Sequence, residues 1–108
     1  MTQMIFVNLP VTNLARSMAF YAAVGANNNQ KFTDDTAACM VLSETIHVML
    51  LTHAKWATFG DVPILDTHTG AQVFLCLTRD SKADVDAVVE QAAAAGGQAD
   101  PTPAEDHG

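Results

Sequence analysis

Basic side chains are scarce in this chain. Five of its 108 residues are Lys or Arg against twelve Asp or Glu, which leaves a net charge of -7. Arg16, Lys31, Lys55, Arg79 and Lys82 are scattered and form no patch. A phosphate backbone or an anionic bilayer surface would be repelled, so neither nucleic acid nor membrane is an expected partner. Cysteine is nearly absent as well. Cys39 and Cys76 form no C-x-x-C, and each lies in an apolar, strand-like run. The expectation is two reduced thiols in the core of a cytoplasmic protein. No apolar run approaches the ~20 residues that span a bilayer. The opening MTQMIFVNLP lacks a basic n-region and a long apolar h-region, so it does not read as a secretory signal. No Ser-His-Asp or Cys-His order and no glycine-rich phosphate cradle occurs, which leaves catalytic residues unassigned.

What is present is a folding sequence of one domain's length, 49% apolar and 16% charged. Residues 4–11 alternate as a strand. Thr12 or Asn13 can cap the helix that follows to about Val24, whose buried stripe is Leu14, Ser17, Met18, Tyr21 and Val24. Gly25 suits the left-handed residue past a helix end. A short strand is expected near Gln30–Thr33. The runs 37–43 and 46–53 read as a hairpin closed by Ser43–Glu44–Thr45, and 54–59 as a helical turn. After a loop through Gly70, AQVFLCLT (71–78) reads as a strand with Val73, Leu75 and Leu77 on one face and Gln72, Phe74 and Cys76 on the other. Ser81 with Asp84 resembles a capping box for a helix over 82–95 that would bury Val85, Val88, Val89 and Ala92. Gly96–Gly97 would end it.

The plan of strand, cap, amphipathic helix and terminal glycine thus occurs twice. Residues 1–70 hold one β-α-β-β-β unit. Residues 71–108 hold the β-α start of a second, with at most one strand at Gln98–Asp100. A second unit matching the first would call for about thirty further residues. The closing GGQADPTPAEDHG therefore reads as the start of an unfinished sheet and not as an evolved tail.

The stretch "VNLPVTNLARSMAFYAAVG" resembles the vicinal-oxygen-chelate superfamily of glyoxalase I, bleomycin-resistance proteins and extradiol dioxygenases. The strand V-x-L-x-V, the polar cap, Leu14, Ser17, Phe20–Tyr21 and Gly25 carry the likeness. Asn13 stands where the family has Asp. The resemblance implies an α+β fold of paired β-α-β-β-β modules, the second incomplete, curled into a cup whose inner face holds a ligand. It also implies metal positions on the first, fourth, fifth and last strands. In this chain those fall on Phe6, Leu50 and Gln72, and on a strand the sequence lacks. Phe and Leu offer no lone pair, and a catalytic ion needs about three protein ligands. No metal and no other cofactor is therefore expected.

Within this reading the inward residues are Phe6, Asn8, Leu50, Thr52, Gln72, Phe74 and Cys76, with Trp56 and Phe59 placed to close over the cup. Phe6, Asn8, Leu50, Thr52, Trp56, Gln72 and Phe74 are the candidate small-molecule contacts, a mostly apolar set with a few polar groups. By strand parity His47 would share the face of Met49 and Leu51 under the helices and be structural. His53, His68 and His107 read as surface groups. The expected function is binding of a small organic molecule without a catalytic metal. The alternatives are a glyoxalase-like lyase or dioxygenase whose metal site needs further strands, and a non-catalytic assembly domain. An unpaired strand edge and a partial core favour a homodimer or higher symmetric oligomer whose sheets complete each other's cups.

Overall fold

The computed structural model describes residues 2–66, 69–70 and 73–98. Strand β1 (Ile5–Val11) leads through Asn13 into helix α1 (Leu14–Ala23). The Asn13 side chain accepts from the Arg16 amide at 3.1 Å, which satisfies one of the free N–H groups of the first turn. The helix ends in a Schellman motif. Gly25, at φ 104°, donates to the Ala22 carbonyl at 3.1 Å, and Ala26 donates to Tyr21 at 2.9 Å. That backbone conformation strains any residue with a Cβ, so the glycine sets where the helix stops.

Next come β2 (Asn27–Asn29) and a 3-10 turn at Gln30–Phe32. The strand expected at Gln30–Thr33 is thus displaced toward the N-terminus. The Asn29 side chain accepts from the Lys31 amide at 3.1 Å, and the Thr33 hydroxyl donates to the Asn29 carbonyl at 2.8 Å. These local bonds turn the chain where a ladder would have continued. Asp34 then accepts from the Thr36 amide and the Thr36 hydroxyl, both at 2.7 Å, and from the Ala37 amide at 3.0 Å. That turn aims β3 (Ala37–Val41) into the sheet, and the Ser43 hydroxyl, accepting from Ile46 at 3.2 Å, closes the hairpin to β4 (Ile46–Thr52). Helix α2 (His53–Ala57) follows directly.

The sheet runs in the order β1-β4-β3-β2, with β1 parallel to β4 and the other pairs antiparallel. One face carries the core. Ala26, Ala38, Met40, Val48 and Leu50 are buried there, and Leu14, Met18 and Tyr21 of α1 pack on them together with Leu9, Val11 and Leu42. This is one β-α-β-β-β module, and the chain is α+β as its sequence indicates.

Helix α3 (Lys82–Ala94) rests on α1. Ser81 accepts from the Asp84 amide at 3.1 Å, and Gly96, at φ 104°, repeats the closure seen at Gly25. The Arg79 guanidinium donates to the Val24 carbonyl and ties the start of this segment to the end of α1. Three expectations fail in this half. Residues 73–78 form no strand, because no described strand runs beside them and a strand exists only through its ladder. Cys76 is accordingly exposed rather than in the core, while Cys39 is buried. On α3, Val88 and Ala92 are half-buried, but Val85 and Val89 remain exposed although α1 packs on the helix. Gln72, His68, His107, and the closing segment from Ala99 onward, lie outside the described residues. No described helix is long and apolar enough to cross a membrane.

Candidate functional site: the face of the sheet opposite the helix

Register fixes which side chains share the face away from α1. In the parallel pair Phe6 stands opposite His47 and Asn8 opposite Met49; across the hairpin Cys39 stands opposite Met49 and Ala37 opposite Leu51. Since side chains alternate and Val48 and Leu50 lie in the helix-facing core, the free face carries Phe6, Asn8, His47, Met49, Leu51, Ala37 and Cys39.

This overturns the parity expected for β4. Leu50 is 0% exposed in the core under α1 and cannot meet a ligand alongside Phe6 and Asn8. Thr52 has the same parity, and its hydroxyl is used as the cap of α2, accepting from the Lys55 amide at 3.2 Å. His47 does not sit under the helical layer. Its ring stacks on Phe6, with centroids 4.5 Å apart and planes at 15°. The error has a physical source. β4 is the central strand between β1 and β3, and both of its faces are largely buried, so apolar and polar residues do not alternate along it.

At the end of this face lies a cavity of about 310 Å³ lined by Asn8, Leu51, Trp56 and Phe59. Trp56 and Phe59 reach it because α2 begins as soon as β4 ends, which swings the aromatic pair across the sheet. The Lys55 ammonium lies 5.6 Å from the centre of the Phe59 ring. Asn8 is the polar group of the lining, and its amide donates to the Phe6 carbonyl at 3.2 Å, leaving its oxygen and second N–H for other partners. Of the sequence-derived candidates, Asn8 and Trp56 are brought together at this cavity, and Phe6 lies on the same face one register step away. Phe74 is 90% exposed and does not line it. Gln72 is outside the described residues. Leu51 and His47 were not among the candidates. A Thr directly before a helical turn is a cap signal, and it would have removed Thr52 from the set.

Burial raises the Cys39 thiol above its ordinary value, which disfavours the thiolate. It is a packing group rather than a nucleophile.

The metal positions implied by the resemblance do not suit an ion. Phe6 has no donor atom. The β4 residues on the free face are His47, Met49 and Leu51, with one strong donor among them. No group of three or more His, Cys, Asp or Glu side chains among the described residues could hold a metal.

No family model matches the chain, and no curated protein matches it. Solved structures do. One is a glyoxalase/bleomycin resistance protein/dioxygenase family enzyme from Burkholderia phytofirmans PsJN, at a TM-score of 0.69 and 21% identity, with 88% of this chain and 74% of that chain covered. Another is a hypothetical protein from S. aureus, at a TM-score of 0.65 and 25% identity, with 89% and 72% covered. The β-α-β-β-β module and the helix docked on its sheet therefore have the fold of a glyoxalase/bleomycin resistance/dioxygenase structure.

Proposed function

We propose that this chain is a cytoplasmic small-molecule binder of the glyoxalase/bleomycin-resistance type, working without a catalytic transition metal. The observation that carries the reading is the cavity of about 310 Å³ bounded by Leu51, Trp56, Phe59 and the Asn8 amide. Ligand sites are typically apolar clefts of about 300–1,000 Å³ with few polar groups. Lyase or dioxygenase turnover on the family's pattern would need metal donors that the described residues do not supply. Chelator-free purification followed by elemental analysis should find no stoichiometric zinc, nickel or iron, and a stoichiometric ion would refute the metal-free part.

The binding part is tested by a thermal-shift screen of small aromatic and carbonyl compounds. A ligand at a hundred times its Kd should add about 2.7 kcal/mol to the folded state. That gain should disappear in Trp56→Ala and Phe59→Ala. A hit unaffected by either substitution would place binding elsewhere.

We also propose that the protein works as a homodimer or a higher symmetric oligomer. Support comes from two apolar surfaces. Ile5 and Phe6 are exposed on edge strand β1, and Val73, Phe74, Leu75 and Leu77 are exposed in a segment without a ladder. Exposed edges and contiguous apolar patches favour association with another chain.

A further inference from the structure

His47 is the polar group on the free face that the cavity does not explain. It is 8% exposed, and its Nδ1 is buried without a hydrogen-bond partner. A buried ring nitrogen with no partner costs free energy, so native structures leave few of them. One face of the imidazole is covered by the Phe6 ring, stacked flat against it. That cover is only loosely held. Phe6 stands on an edge strand and is 49% exposed. A half-exposed side chain changes rotamer on a fast timescale. His47 and Asn8 lie on neighbouring strands one side-chain step apart on the same face, with Cα atoms roughly 8 Å apart by strand spacing and rise. That span is short enough for one small molecule to reach from the cavity at Asn8 toward the imidazole.

We propose that His47 is a polar anchor of the binding site, exposed when Phe6 turns aside, and that the ligand is a neutral compound with an apolar ring and an amide, carbonyl or hydroxyl group. The inference rests on the small-molecule reading of the cup. The apolar part packs against Leu51, Trp56 and Phe59, and the polar group pairs with Nδ1. A neutral imidazole nitrogen either donates or accepts according to tautomer, so an amide, which does both, suits either state.

Benzamide and toluene are the probes, one with and one without a hydrogen-bonding group. Their binding is measured by NMR titration of the wild-type protein and of His47→Phe, which keeps a ring to stack on Phe6. A net hydrogen bond corresponds to about two- to tenfold in affinity, so His47→Phe should weaken benzamide by that factor and leave toluene within about twofold. In the wild type, long-range proton–nitrogen spectra should show the His47 Nδ1 resonance moving with benzamide and not with toluene. This second measurement decides the question even if the variant folds poorly. If both probes bind at the cavity, the Nδ1 resonance stays fixed and the variant loses nothing, then His47 is structural and the inference is overturned while the pocket stands. If neither probe binds the wild type, the small-molecule reading fails and takes the inference with it.

Discussion

Asp34 shows how one carboxylate shapes an element. The Thr36 hydroxyl and amide, and then the Ala37 amide, hold its carboxyl below the ordinary carboxylate value. Those bonds fix the entry into β3, whose residues Ala38 and Met40 are core. A group with a lowered folded pKa stabilises above its unfolded value, and that stabilisation is lost as pH falls through the folded one. Asp34→Ala should therefore lower Tm at neutral pH, and the gap from wild type should shrink as pH is taken below the usual carboxylate range. A gap that is constant down to strongly acidic pH would show that the charge contributes nothing. Leu50 gives a second test at this scale, because it separates the two faces of β4. Leu50→Ala should cost about 2–5 kcal/mol in chemical denaturation, as large-to-small core changes do, while leaving affinity for a cup ligand unchanged. Lost affinity in a folded Leu50→Ala protein would contradict its place under α1.

Helices α1 and α3 share one construction. Each begins on a side-chain oxygen, from Asn13 or Ser81, and ends on a glycine at φ 104°. Asn13→Ala should destabilise by about 1 kcal/mol through the loss of its cap. Gly97 has a different duty. A Cβ there would sit 2.5 Å from Cε1 of Phe20 and 2.8 Å from the Ala92 carbonyl oxygen. The helix end must approach α1 closely, and the second contact is backbone, which cannot swing away. Gly97→Ala should loosen α3 from α1, seen as faster amide exchange in 82–94 with β3 and β4 protected as before. Equal exchange in both proteins would mean that this contact does not hold α3. The Ser81 cap and the helix-ending glycines are legible in the residues, and the α1 cap is narrowed there to Thr12 or Asn13, since each depends on a few neighbours in the chain. The strand expected at 71–78 does not form over the described residues 73–78, for its alternation of Val73, Leu75 and Leu77 describes a surface that a ladder partner has to complete.

At the scale of the molecule, the core lies in the first module and the second half is joined to it through helix packing and the Arg79 contact. The apolar residues Val73, Phe74, Leu75, Leu77, Val85 and Val89 remain open. Isolated apolar side chains at the surface are ordinary, but a run of this kind in a segment without a ladder is the surface the proposed oligomer would cover. Light scattering after size exclusion should give a dimer or a larger symmetric oligomer at micromolar concentration. Phe74→Asp should shift it toward monomer by placing a charge in the contact. A well-folded monomer of the unmodified chain at that concentration would end the oligomer proposal.

Local signals and periodicity in the sequence determined the α+β class, the order of strands and helices in the first module, the Ser81 cap, a cap of α1 at Thr12 or Asn13, and the amphipathic stripe of α1. The aromatic pair Trp56 and Phe59 was also visible, as residues following the fourth strand. The tertiary structure alone decided which face of β4 turns away from α1. In a strand such as β1, where exposed and covered positions differ, composition reports orientation. In IHVMLLT, covered on both faces between two neighbours, it does not. Only the pairing of Phe6 with His47 and of Leu9 with Leu50 turns Leu50 toward the helix and His47 toward the free face. A one-residue change of parity moves every side chain of a strand to the opposite face, and that choice is made by contacts distant in the chain.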